Sequence, residues 1–268
     1  MHILVIAGFL AIGILTGILS SMFGFGGGFV LIPVMYLLLP GFDVPEAAIM
    51  HVAIGTSLAV MIVNSINSTI SHHRKQHVIW SIFFRLAPAI AVGALLGGLS
   101  TPFVQGDILR YLFILLVVYT IVTSIWKKSF LDVDGLSFTL PTPFKTSSLG
   151  LGIGFLASLL GVGGSVLTVP FLRKRGLAML HAVSLANPLS LPIAIVGAIT
   201  SIATGLQQPG LPAWCFGFVY VPAFLGIVLG GFLGVPLGTR IAHRLPDRLF
   251  SKIYLSLLVV VVLIMVFE

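Results

Sequence analysis

Charge is what this sequence has least of. Asp, Glu, Lys and Arg make up 8% of its 268 residues, against 58% hydrophobic ones, where a soluble domain carries about 25% charge. Mean hydropathy is +1.17. A water-soluble fold of this size is excluded, and lipid has to be the solvent. Acidic side chains are the scarcest, 7 against 14 Lys and Arg, and none falls inside a long apolar run. Pathways that carry cations through intramembrane carboxylates are therefore disfavoured. Cys215 is the single cysteine, which excludes an intramolecular disulfide and any cysteine-based metal or redox cluster. There is no H-E-x-x-H and no nucleophile–base pair at useful spacing, so the chain does not read as an enzyme. No His/Asp/Glu group has metal-ligand spacing, and no cofactor is expected.

The net charge of +7 does not point to nucleic acid. The basic residues sit in short clusters between apolar runs, as topology signals do. The first run, Ile3–Met22, has no basic segment before it and is longer than a signal-peptide core of about 7–15 residues, so it is kept as structure.

Seven runs approach or exceed the roughly 20 residues needed to cross a bilayer: Ile3–Met22, Ala47–Ile70, Val78–Leu99, Ile108–Trp126, Leu177–Gly205, Trp214–Leu237 and Leu249–Phe267. Three shorter runs, Phe29–Leu39, Ser148–Leu160 and Ser165–Leu172, flank two glycine clusters. Each cluster reads as the tip of a hairpin that enters the membrane, breaks at glycine and returns to its own side. With the N-terminus outside, this arrangement places Arg74-Lys75, Lys127-Lys128, Lys145, Arg173–Arg175 and Arg240/Arg244/Arg248 on the cytoplasmic side, as the positive-inside rule requires. Asp43, Glu46, Asp107 and Glu268 then lie opposite, with Arg110 the one basic residue near them. Both termini are expected in the periplasm of an inner-membrane protein.

The chain repeats itself. The segment Gly17–Pro33 aligns with Gly154–Pro170 at a constant offset, bringing Ser21 onto Ser158, Gly24 onto Gly161, and Gly26 and Gly27 onto Gly163 and Gly164. Ala48–His51 matches Ala178–His181, and Pro88-Ala89 with Gly97-Gly98 echoes Pro222-Ala223 with Gly230-Gly231. The expected architecture is all-α and polytopic, with two inverted-topology repeats, each a glycine-broken hairpin plus three transmembrane helices. The repeats are residues 1–126 and 147–268, joined by a cytoplasmic linker at 127–146, and they form one integrated transport unit. Such repeats are the usual scaffold for alternating access.

Broken backbone within a bilayer must be buried in protein or face a cavity. Its free N–H groups, at the start of a helix, favour an anion. The candidate substrate site is therefore Ser21, Gly24, Gly26, Gly27 and Gly28 with Ser158, Gly161, Gly163, Gly164 and Ser165. The following helices add His51, Thr56, Ser57 and Asn64 in the first half and His181 and Asn187 in the second. Ser57, Asn64, Ser68 and Ser71 share one narrow arc at 100° per residue. Pro188 and Pro192 suggest local unwinding. His72, His73 and His77 read as solvated loop residues, and Gly93, Gly97, Gly98, Gly226, Gly230 and Gly231 as packing glycines.

The GxGGG turn before Pro33, Gly55-Thr56-Ser57, and the second GxGG turn followed by Asn187-Pro188 together resemble the TauE/SafE sulfite-exporter family, also called the 4-toluene sulfonate uptake permease family. The resemblance covers nearly the whole chain. It implies transport of sulfite, another small sulfur oxyanion or an organosulfonate across the bacterial inner membrane, with the two turns, Thr56-Ser57 and Asn187 forming the site. A secondary transporter of a small anion working by alternating access is the leading expectation, with coupling to protons, to sodium or to neither left open by the sequence. A passive anion channel, or an uptake permease for another small carboxylate or sulfonate, is the alternative. The partners expected are a small anion and the lipid bilayer; a homodimer is compatible with the sequence.

Overall fold

Apolar length decides the architecture. The computed structural model, which describes residues 2–126, 130 and 142–267, is built from ten α-helices: α1 His2–Phe23, α2 Gly28–Leu38, α3 Glu46–His73, α4 Trp80–Ser100, α5 Gly106–Trp126, α6 Pro143–Leu159, α7 Ser165–Arg173, α8 Met179–Gly205, α9 Val221–Arg244 and α10 Asp247–Phe267. Seven of them are long and apolar enough to cross a membrane; α2, α6 and α7 are the three short runs beside the glycine turns. The protein is an all-α, multi-pass membrane protein. Residues 127–129 and 131–141 of the expected linker lie outside the described residues, and Pro143 already opens α6.

Six of the expected spans lie within a few residues of a helix. The run Trp214–Leu237 does not. Its first residues form a two-stranded hairpin, β1 Cys215–Phe216 and β2 Val219–Tyr220, and the helix starts at Val221 with Pro222 in its first turn. Gly217 turns the hairpin at φ 58°. Apolar content alone does not distinguish this plug from the first turns of a helix. Pro188 and Pro192 lie inside an uninterrupted α8 rather than in an unwound segment. Each proline removes one amide bond, and close neighbours keep the rest of the helix intact.

The helices α3 and α8 pack on each other at the centre. Their apolar stretches are 83% and 72% buried, against 39% for α4 and 33% for α5. Around this pair α1 lies along α9, α6 along α4, α2 on α3, α7 on α8, and α10 on α5. Exchanging α1–α5 with α6–α10 leaves these pairings unchanged. In the first close pair a Cβ at Gly13 would strike the Ile227 backbone and one at Gly238 the Ile18 backbone; in the second, a Cβ at Gly93 would strike Leu151 O at 2.0 Å. These glycines let backbones touch without intervening side chains, as membrane helices require for tight association. Phe84, Leu115, Tyr119 and Leu229 are among the large side chains left on the outside, where lipid would cover them.

Among the described residues an ion pair between Arg173 and Asp247 fastens the second hairpin. Arg173 is fully buried and reaches Phe130 O, Leu177 O, Ser251 Oγ and Asp247. It carries a structural load beyond its place in a basic cluster.

Candidate functional site

Each glycine turn is a backbone reversal held by its own carbonyls. Gly24, Gly26 and Gly27 adopt φ of 75°, 63° and 89°, and Gly161 adopts 66°, a region that side chains disfavour. Gly24 N–H donates to Ser20 O and Gly28 N–H to Phe25 O in the first turn; Gly161 N–H donates to Ser158 O and Val162 N–H to Ala157 O in the second. Among the described residues the amides of Gly26, Gly27, Gly163 and Gly164 have no backbone partner.

The two turns touch. A Cβ at Gly163 would lie 2.3 Å from Phe25 O, one at Gly28 would lie 3.0 Å from Gly161 O, and one at Gly24 would lie 3.5 Å from Ser165 Cβ. The central helices then cross over. Ser57 of α3 donates to Gly161 O of the second turn at 2.9 Å. Ser190 of α8 donates to Ala186 O at 3.0 Å and reaches toward Gly24 O of the first turn at 3.5 Å. The serines are related by the same offset as the Gly97-Gly98 and Gly230-Gly231 pairs. That offset, rather than the one joining His51 to His181, marks Ser190 as the counterpart of Ser57.

Beside the first turn lies a buried polar patch. Asn64 is fully buried, and neither its amide nitrogen nor its oxygen has a hydrogen-bond partner. A Cβ at Gly27 would stand 2.8 Å from Asn64 Nδ2, and one at Gly231 would stand 2.3 Å from Asn64 Oδ1. Ser20, Ser65 and Ser68 add buried hydroxyls that also lack partners. Beside the second turn Ser158 and Ser165 are buried without partners, and Ser158 and Thr200 crowd Gly98. Asn187, on α8, donates to Val183 O, a carbonyl that lies against Gly24 of the first turn, and its Oδ1 is buried without a partner. Gly197 stands where Asn64 would repeat, so the first patch holds the stronger donor. A buried polar group without a partner costs about 1–3 kcal/mol. A cluster of them in a native core calls for partners from outside the chain, ordered water or a polar guest.

The other predicted residues disperse. Thr56 accepts from Tyr220 N–H at 2.9 Å and so anchors β2 rather than facing the turns. Ser21 pairs its hydroxyl with Thr239 and its carbonyl with His72. His51 and His181, alike in sequence, sit at opposite ends. His51 Nε2 lies 3.1 Å from Val104 O and its ring packs on Phe218, while His181 Nδ1 lies 3.1 Å from His77 O. His51 lines a cavity of about 760 Å³ with Tyr36, Glu46, Asp107, Thr204 and Phe218; no residue of the glycine turns lines it. This is the vestibule end of the molecule.

The opposite end holds a histidine group. His72 is fully buried, not solvated, because the last turn of α3 tucks between α1 and α8. The ring of His243 lies 6.0 Å from that of His72 and 4.5 Å from that of His77, and His77 lies 5.6 Å from His181. Burial, and then the neighbouring His181 and Lys75, hold His77 below the ordinary histidine range. The signal for the burial of His72 was the polar run Asn64–His72, in which positions 64, 68 and 72 recur every fourth residue on one helix face. Gly98 and Gly231 pack closely, as expected, each against a polar side chain.

Residues 9–265 match the family described as sulfite exporter TauE/SafE. A "probable membrane transporter protein" of Haemophilus influenzae is 34% identical over 221 residues, 81% of each chain. Another so described, from Methanocaldococcus jannaschii, is 27% identical over 215 residues, 80% of this chain and 78% of that one. A third, from Bacillus subtilis, is 28% identical over 196 residues, 71% and 76% of the two chains. No solved structure matches. These relatives are transporters, not enzymes. With seven spans, two touching glycine turns and a family match along nearly its whole length, the chain belongs to the sulfite exporter TauE/SafE family of membrane transporters.

Proposed function

We propose that this chain is a secondary transporter of a small sulfur oxyanion or organosulfonate, working by alternating access across the inner membrane with both termini in the periplasm. The reading rests above all on the buried Asn64 amide, left without partners between Gly27 and Gly231, beside turn amides that also lack backbone partners. The groups offered are neutral: amide and hydroxyl donors and backbone N–H groups at helix starts. Such a set favours a compact oxyanion over a cation.

The two halves act as inverted repeats. The interchangeable helix pairings support this, as does the placement of the two polar patches. The first extends from its turn along Asn64–Ser68 toward the histidine end. The second extends along Ser158 and Thr200 toward Thr101, near the vestibule. Access alternates between these two routes, with the turns as the shared centre. The histidine end, which carries Lys75 and Arg240, is the cytoplasmic one.

Exchange of radiolabelled sulfite, thiosulfate, sulfate and ethanesulfonate into proteoliposomes tests the reading. At least one is expected to exchange in a saturable manner. Asn64→Ala and Gly231→Ala are each expected to weaken half-saturation about tenfold, the loss of one hydrogen bond to a charged guest. Unsaturable conductance in place of exchange would refute the carrier, and indifference of the anion to both variants would refute the site.

A further inference from the structure

The polar patch at Asn64 does not stop at the turn. Asn64, Ser68 and His72 succeed one another on one face of α3, spanning about 12 Å at 1.5 Å per residue, with Ser20 and Ser21 of α1 beside them. Ser68 and Ser20 are buried hydroxyls without partners. His72 closes this column and is bonded to two other helices. Its Nε2 lies 3.0 Å from Ser21 O of α1, and its Nδ1 lies 3.0 Å from Ser184 Oγ of α8. The ring of His243, on α9, faces it.

The hydrogen-bond geometry of these contacts accommodates two protonation states. Ser21 O can only accept, so Nε2 carries hydrogen. Ser184 has one hydroxyl hydrogen and two possible uses for it. It can donate to Leu180 O at 2.7 Å, in which case its oxygen accepts from a protonated Nδ1 and the ring is an imidazolium. It can instead turn to donate to a bare Nδ1, in which case the ring is neutral and Leu180 O keeps its helical amide bond. The change needs one hydroxyl rotation and no shift of heavy atoms.

The charged and titratable neighbours are basic. The loop after α3 brings His77 and Lys75, α9 brings His243 with Arg240 behind Lys75, and α8 brings His181 behind His77. A second positive charge is unfavourable there by itself. An anion in the column removes that objection, and by linkage the proton strengthens anion binding by the same factor. We propose that His72 is the proton-carrying residue of this transporter, taking up a proton with the anion and releasing both on the same side, so that anion and proton move together. This inference rests on the anion-transport reading. The proton comes from water at one face and returns to water at the other, passing through Nδ1.

Thiosulfate and ethanesulfonate are the probes, because both are fully ionised at neutral pH and bring no proton of their own. Proteoliposomes carry a pH-sensitive dye in the lumen, and the membrane potential is clamped at zero. With the lumen one pH unit more alkaline than the bath, one proton per anion gives about tenfold accumulation, and the dye reports acidification in step with uptake. His72→Gln is expected to exchange labelled for unlabelled anion at a reduced but measurable rate at equal pH, while accumulation falls to about onefold and the dye trace goes flat. Ser184→Ala, which keeps the ring and removes the rotor, is expected to retain accumulation and shift the pH of half-maximal uptake. A wild type that exchanges anion but neither accumulates it nor acidifies the lumen overturns the proposal, as does His72→Gln with full accumulation. If His72→Gln does not fold, the wild-type dye record and the Ser184→Ala pH profile decide the matter. Wild-type protein that exchanges neither probe removes the anion reading beneath the proposal, and the proposal with it.

Discussion

Replacing Gly163 with alanine probes the contact on which the transport reading is built. Gly163 does not adopt a left-handed φ, so alanine is allowed by the local backbone and would, in open space, gain about 0.4–1 kcal/mol by restricting the unfolded chain. The space is not open. The new Cβ would lie 2.3 Å from Phe25 O and 2.7 Å from Phe25 C, both backbone atoms of the other turn. Restoring ordinary separation means parting the two turns by roughly 1.1 Å, and overpacking of this kind costs about 1–3 kcal/mol. The net loss is about 1–2 kcal/mol. At about 2–4 °C per kcal/mol for a chain of this size, the midpoint of thermal unfolding in detergent falls by about 2–8 °C. Anion uptake falls about tenfold as well, because turn amides and Asn64 no longer converge. Gly152→Ala serves as the control, since no atom lies within 4 Å of its added Cβ; alanine there stabilises the helix slightly. Thermal unfolding by intrinsic fluorescence and uptake into proteoliposomes report the two effects. A Gly163→Ala protein as stable and as active as the Gly152→Ala control would mean that the turns do not touch in the working transporter.

Further outcomes follow from the ends of the bundle. Arg173→Ala leaves Phe130 O and Leu177 O without the guanidinium, leaves Asp247 with the Met179 N–H but without its ion-pair partner, and opens a cavity, so it is expected to cost about 3 kcal/mol or more, read as loss of the monodisperse peak in size-exclusion chromatography. Asp247→Ala costs less, because that carboxylate is 38% exposed and water screens it. His77 binds a proton less readily in the folded protein than in the unfolded chain. The stability it contributes is therefore complete above the ordinary histidine value of about 6.5 and is lost as pH falls below it. The unfolding midpoint is expected to drop between pH 7.5 and pH 5.5, and His77→Gln to flatten that dependence. An unchanged slope in the variant would remove His77 as its source.

The sequence by itself determined everything that follows from scarcity of charge and from apolar length. It placed the chain in the membrane, set six spans to within a few residues, found both glycine turns, and carried the family resemblance that the match over residues 9–265 bears out. Those features are local: a bilayer reads each run separately, and a glycine cluster breaks a helix wherever it falls. The hairpin at Cys215–Tyr220 escaped because an apolar segment can fill a gap as a strand as readily as it begins a helix.

Only the tertiary structure decided which polar residues share a place. The turns are more than 130 residues apart in the chain, yet Gly163 meets Phe25. His51 and His181 match in sequence and lie at opposite ends, while Thr56 holds a hairpin instead of facing the site. His72, at the edge of a basic loop, is fully buried, and Asn64 finds its cradle in a glycine of α9. The side-chain period along one helix tells which residues face inward, but what they meet is set by the helices on the other side. In a bundle this tightly joined through glycines, that partner comes from the opposite half of the chain.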